Sequence, residues 1–579
     1  MGLLTAMFRT KPIAVIDAEE RKEELPRELG LVDLILIGVG STVGSGVFAT
    51  TGDIISQTAG AAAFLSWLIA GFSCILNGFA YMEMSSLVPS SGSTYAYSYY
   101  GLGELPAVVA GWLLTLEYGI CSAGVARSWA DKVHEWVKEG LPEGSTSANW
   151  LNDSHASFLG ALCMAVCVAI VLVGIKFGKH FINVVTTIKV SVVLFIIIVG
   201  FIATQPENFT PFVPPVVPAT ADSAAQFGVQ GVMLGASQAF FGYTGFDEVC
   251  CMAAEAKNPR KTVPRAVIGV ILGTMFLSSF ASLALSGMMP YDANPPNGFY
   301  FSAGFQYQGY NWAGTIVHIG EVCTMPIVVL VGFLAQPRVL YAMAVDGLCP
   351  PIFGKVDKKG NLFWNTLITG VFFTIIALLV PFDYLWNLVS LGILVGFNMT
   401  NSALILVRTR ESAPTIAYKL TGALVAVSLA SMFLFQKGYV IATEPATGYL
   451  IASMVLLAAV VAITFGIYFL CPQNVGAPDM YRSPLVPFVP ALAITCNWYL
   501  IAQMGARDIG LCCGWVGLAI LSYFVYGHRY SEGQNGWAAM LHHEYTGLNS
   551  VRPSLTSQIV GEKKESILGL KLQVANSSK

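Results

Sequence analysis

Long apolar runs alternate with short polar, turn-forming stretches from residue 31 to residue 527. Bounded by those turn signals, the runs cover 31–56, 61–88, 105–129, 157–175, 181–203, 228–254, 265–288, 313–336, 363–380, 385–407, 417–435, 448–471, 485–504 and 508–527. Most are close to the about 20 residues a helix needs to cross a bilayer. The pattern predicts an all-α polytopic membrane protein with 14 spans, and an even number puts both termini on one side.

Composition supports that class. Of 579 residues, 55% are hydrophobic and only 11% charged, too few charges to coat several soluble domains. A net charge of −3 offers no footprint for nucleic acid. The 12 cysteines fall in apolar runs or at their ends, so no disulfide framework is expected. The adjacent pairs Cys250/Cys251 and Cys512/Cys513 diverge on a helix and read as packing. The seven histidines are scattered, and His542 and His543 have no ligand spacing around them. Neither a metal nor a cofactor is expected. No secretory signal opens the chain, because residues 11–30 are charged and the first apolar run is long enough to stay as a span. The opening Met-Gly fails the myristoylation pattern at Ala6.

Lysine and arginine set the orientation. With the N-terminus inside, 25 of the 31 fall in cytoplasmic segments and five outside, at Arg127, Lys132, Lys138, Lys437 and Arg507. Lys189 alone is left within the membrane. Sequons at Asn152 and Asn208 fall in the outside loops after spans three and five, as glycosylation candidates.

Two spans are interrupted. Span one carries Gly38-Val39-Gly40-Ser41-Thr42-Val43-Gly44-Ser45-Gly46, four glycines that weaken a helix by up to ~1 kcal/mol each. Close packing or an unwound, cavity-lining segment would both account for it. Span six carries Phe241-Gly242-Tyr243-Thr244-Gly245-Phe246-Asp247-Glu248, glycines beside buried acids. Breaks at matching places in two five-span halves point to an inverted-repeat transporter.

These strings, with Thr51-Gly52, Gly111-Trp112, Leu116-Glu117-Tyr118, the run from Ala254 to Lys261, and Pro337-Arg338 leading to Asp346-Gly347-Leu348, resemble the amino acid–polyamine–organocation superfamily and its cationic amino acid transporter branch. The resemblance implies a LeuT-type fold. A cytoplasmic N-terminus (1–30) precedes repeat one (31–203) and repeat two (228–409); peripheral spans 11 to 14 (415–527) and a cytoplasmic tail (528–579) follow. It also implies an α-amino acid as partner within the lipid bilayer. Its carboxylate would lie on the amides of Gly44, Ser45 and Gly46, near the positive end of a half-helix. Its ammonium would meet the carbonyls of Thr42, Phe241 and Thr244. In relatives an aromatic at the Phe241 position gates the substrate, and the acid at Asp247 senses protons or supports span six.

Intramembrane charges are functional candidates by default. Glu117, midway along span three, is placed to hydrogen-bond the span-one break or to serve structure alone. Glu248 and Glu255 are expected to pair with Lys257 or Arg260, and Arg338 and Asp346 to form an inner lock with Glu83. Lys189 lies where sodium-coupled relatives hold a cation, so its ammonium would replace the ion and couple transport to protons. Branch members from animals carry a neutral residue there, which sets this chain apart.

In span eight, Met325 stands where relatives place a side-chain-pocket residue, and a methionine there goes with smaller or neutral substrates. Glu321, one turn outward on the same face, would meet a cationic side chain or face the outer vestibule. The reading favours arginine and lysine, with broad neutral transport or a flux-free amino acid sensor as alternatives. A membrane enzyme is disfavoured for want of a catalytic set. The plasma membrane is the first expectation for location, with the vacuolar or lysosomal membrane as the alternative.

Overall fold

The structure, a computed structural model, describes residues 3–16 and 29–537 apart from 91, 140–155, 174–178, 219–225, 294, 296, 297, 299, 358–360, 411, 442–446 and 475–479. Each predicted span carries a helix. These are α1 (Leu31–Thr42, resuming as Phe48–Asp53), α2 (Ala63–Leu87), α3 (Glu104–Thr115, resuming as Cys121–Glu139), α4 (Phe158–Val173), α5 (Lys179–Ile202), α6 (Gly228–Gln238, resuming as Phe246–Cys251) and α7 (Pro259–Met288). They continue with α8 (Asn311–Val345), α9 (Phe363–Leu379), α10 (Phe382–Thr409), α11 (Pro414–Phe433), α12 (Thr447–Leu470), α13 (Phe488–Gln503) and α14 (Ala506–Ser522). Among the described residues, nine helical stretches are long and apolar enough to cross a membrane. Prolines open α7 and α11 and immediately precede α10 and α13. At a helix start the missing amide costs nothing, since that amide has no intrahelical partner.

Two boundaries differ from the sequence pattern in ways that matter. Helix α3 runs to Glu139, ten residues past its apolar run, so Lys132 lies inside a helix rather than in an outer loop. Helix α8 runs to Val345 and takes in Arg338. Apolar patterning stops where charge begins, but a charged turn stays helical when its charges find partners across the bundle. Short helices Thr94–Gly101 and Phe301–Tyr307 lie in what reads as loop. The interfacial helix expected over residues 17–28 and the sequon at Asn152 fall outside the described residues.

Helix packing follows an offset of five. The two segments of α1 and α6 meet at their interruptions, α2 lies along α7, α3 along α8, and α4 along α9. The last four helices are not uniformly peripheral. Helix α13 packs on α2, α6 and α10. There a buried asparagine cluster links three helices: Asn77 Nδ2 donates to Asn497 Oδ1 at 3.0 Å, and Asn497 Nδ2 to Asn398 Oδ1 at 3.0 Å. Helix α14 packs on α3 and α10, and Trp515 Nε1 donates to the Trp112 carbonyl at 2.9 Å. Helices α11, α12 and the outer face of α14 leave most of their apolar side chains exposed for lipid to cover.

Candidate functional site

The interruption of α1 is a widened π-type turn, Val43–Val47, rather than an unwound strand. Such turns insert an extra residue per turn and recur at functional sites. The glycines explain why neighbours come so close here. A Cβ on Gly40 would lie 2.3 Å from Thr186 Oγ1 of α5. One on Gly44 would lie 2.2 Å from Val328 of α8 and 2.8 Å from Lys189 Nζ, and one on Gly46 would lie 2.1 Å from Gly242 Cα of α6. Three helices thus press on three successive glycine positions.

Helix α6 is truly broken. A 3₁₀ turn, Ala239–Tyr243, leads to Thr244 and then to Gly245, whose φ of +133° is one that L side chains rarely adopt. The second half-helix starts at Phe246. Thr244 is buried, and its Oγ1 has no hydrogen-bond partner among the described residues. Phe241 is fully buried and meets Phe382 of α10 edge-on, with ring centroids 5.6 Å apart. The Thr42 hydroxyl is engaged within the bundle: its Oγ1 donates to the Val39 carbonyl at 3.1 Å and contacts Thr274 Oγ1 of α7 at 2.7 Å. The Ser45 side chain lies outside the described part of the structure.

Lys189 is 2% exposed, so it does not reach for the membrane surface. Its Nζ donates to the Gly40 carbonyl at 2.7 Å, immediately before the α1 turn. On the other flank, Tyr118 Oη donates to Asp247 Oδ2 at 2.8 Å. Glu117 sits in a second wide turn, Leu116–Ile120, with its carboxyl within hydrogen-bonding reach of Asp247. The carboxyl thus faces the acid of α6. Glu248, expected nearer the cytoplasm beside Lys257 or Arg260, is instead buried and reaches Ser41 of α1. Three carboxyls and one lysine thus surround the meeting point of α1 and α6. The sequence singled out Glu248 but assigned it the wrong partner, because neighbouring acids on one half-helix look alike until the fold shows which turn faces α1.

Span eight departs furthest from expectation. Met325 is fully buried, as a pocket wall would be. Glu321 is neither hydrated nor open to a ligand cation in this state. Its Oε2 lies 2.8 Å from Lys132 Nζ, and both side chains are at most 1% exposed. The inner lock is also rewired. Arg338 pairs with Glu255 at 3.1 Å, while Asp346 accepts from Lys11 Nζ at 2.7 Å and Tyr95 Oη at 2.6 Å. Glu83 takes a two-pronged contact from Arg408, at 2.7 and 2.6 Å. Asn208 is half-buried, and its Nδ2 donates to the Gly287 carbonyl at 2.7 Å.

Comparison with known proteins now decides the lineage: a profile of the amino acid permease family matches residues 29–462. The chain belongs to the amino acid permease family. A second profile, for the C-terminus of such permeases, matches residues 481–531. This permease is 34% identical over 413 residues to the methylthioribose transporter of Bacillus subtilis (strain 168), covering 70% of this chain and 87% of that protein. It is 29% identical over 612 residues to cationic amino acid transporter 4 of Homo sapiens, covering 95% and 93%. It is 33% identical over 436 residues to the branched-chain amino acid permease of Bacillus subtilis (strain 168), covering 74% and 91%. The family and the apolar helices make this permease an integral membrane protein.

Proposed function

We propose that this permease carries an α-amino acid across the membrane by alternating access, with both termini cytoplasmic. The frame is LeuT-type, spans one to five and six to ten being inverted repeats. Packing of each of α1 to α4 on the helix five places later supports that symmetry. One observation carries the site: the interruptions of α1 and α6 abut at Gly46 and Gly242, so two stretches of irregular backbone face each other without a side chain between them. The amides of Gly44, Ser45 and Gly46 receive the substrate carboxylate. The carbonyls of Thr42, Phe241 and Thr244, with the unpartnered Thr244 hydroxyl, receive its ammonium, and Phe241 closes over it. The Lys189 ammonium, held on the Gly40 carbonyl, stands in for a metal cation and couples transport to protons, with Glu117 and Asp247 as the neighbouring acids.

The side-chain class follows from span eight. Met325 is buried, and the charge of Glu321 is already met by Lys132, which favours neutral side chains. A cationic substrate is the second reading. It is favoured because the human cationic amino acid transporter 4 aligns along 95% of this chain, including its last four helices. Net uptake into proteoliposomes of labelled leucine and labelled arginine tests both readings. Each is measured with and without an inward proton gradient, in wild type and Lys189→Asn. Uptake driven by the gradient, and insensitive to it in the variant, is the expected result. Strictly sodium-dependent uptake would refute the coupling, and binding without net flux would make the protein a sensor.

A further inference from the structure

The buried ion pair between α3 and α8 that bears on the side-chain class has an unusual geometry. Lys132 lies inside the charged last turns of α3, with its Nζ 2.8 Å from Glu321 Oε2 and 3.9 Å from the centroid of the Tyr300 ring. A cation over a ring face is attracted by the ring's quadrupole, so Tyr300 caps the ammonium on a second side. One turn away, Trp129 Nε1 donates to the Val322 carbonyl at 2.9 Å, which fixes α3 against this part of α8. Asp53 at the end of α1, with Asp383 of α10 and Asp131 of α3 near it, and His318 one turn along α8 are further titratable groups around this charge among the described residues. The ion pair does not satisfy the carboxylate. Glu321 Oε1 has no hydrogen-bond donor among the described residues, although the side chain is fully buried. That is an unusual state for a charged oxygen out of water.

Glu321 lies one helical turn outward of Met325 on the same face of α8, about 6 Å along the axis. An amino acid held by its α-groups at the α1 and α6 interruptions would extend its side chain toward Met325. A lysine or arginine side chain would then bring its charge near Glu321, where Lys132 already stands. We infer that Lys132 is the specificity-determining residue of this permease: an internal cation that occupies the place of a substrate cation on Glu321 and so sets preference for neutral side chains. This rests on the amino acid transporter reading above. Without Lys132, the carboxylates of Glu321 and Asp53 create an acidic field at the end of the side-chain pocket. A guanidinium or ammonium from the substrate would then be the natural counter-charge.

The test uses purified full-length protein and measures thermal stabilisation by leucine, lysine, arginine and glutamate, with competition against labelled leucine in proteoliposomes. In wild type, leucine is expected to stabilise and compete well, and lysine poorly. Lys132→Gln should raise the affinity for lysine and arginine relative to leucine by about tenfold or more, the usual reach of one desolvated charge pair. Lys132→Arg should keep the wild-type order. Glu321→Gln, which leaves Lys132 without its counter-charge, should shift the order toward glutamate instead. The double variant Lys132→Gln with Glu321→Gln should lose both shifts. An unchanged lysine-to-leucine ratio in Lys132→Gln would overturn the inference. If that variant accumulates poorly, excess lysine during solubilisation should improve its recovery more than excess leucine does, and equal recovery would overturn the inference too. A wild-type protein that binds none of these amino acids would instead overturn the transporter reading on which the inference depends.

Discussion

The closest backbone approach in the site sets up a graded test at three glycines. A methyl group on Gly46 would lie 2.1 Å from Gly242 Cα, and the atom it meets is main chain. Carbon atoms rest about 3.5–4.0 Å apart, so the two helix interruptions would have to separate by roughly 1.5 Å or more. Overpacking of this kind costs about 1–3 kcal/mol when side chains can turn aside. Here neither partner has a rotamer to change, so Gly46→Ala should lie at the top of that range, about 3 kcal/mol. Gly44→Ala should cost less, because the atoms in its way belong to the Val328 and Lys189 side chains, which can turn. It should nevertheless push Lys189 Nζ off the Gly40 carbonyl. Gly422 in α11 has nothing within 4 Å of its would-be Cβ, so Gly422→Ala should stabilise the helix by about 0.4–1 kcal/mol. Thermal unfolding in detergent ranks the three variants, and proteoliposome uptake shows whether Gly46→Ala and Gly44→Ala also lose transport. A Gly46→Ala protein with wild-type stability and uptake would refute the claim that bare backbone contact between α1 and α6 builds the site.

Two further outcomes follow from single polar groups. Thr244→Val removes a buried hydroxyl that has no partner among the described residues, so stability without substrate should hold or rise by about 1 kcal/mol while affinity for an α-amino acid falls. Loss of both together would show that the hydroxyl serves the fold alone. Asp346→Asn weakens the contacts that hold the N-terminal arm through Lys11 and Tyr95. Limited proteolysis should then cut before residue 17 faster than in wild type, and an unchanged cleavage rate would show that the neighbouring Arg9–Glu104 pair holds the arm by itself.

What could be read from the chain alone was local. Each of the fourteen apolar runs carries a helix, because a long apolar segment buries its backbone polar groups best by bonding them to one another. The glycine clusters around residues 38–46 and 242–245 marked the interrupted helices, because a missing Cβ weakens the helix at that position whatever lies nearby. What sequence order could not supply was which helix would stand beside which. Lys132 reads as an outer-loop cation until α8 places Glu321 against it, and Glu248 reads as a partner for Lys257 or Arg260 until α1 covers it. Glu83 finds Arg408 across 325 residues, and Asp346 finds Lys11 across 335. A buried charge needs a counter-charge or a well-placed dipole beside it. The identity of that counter-charge is decided by helix packing, which spacing along the chain does not encode.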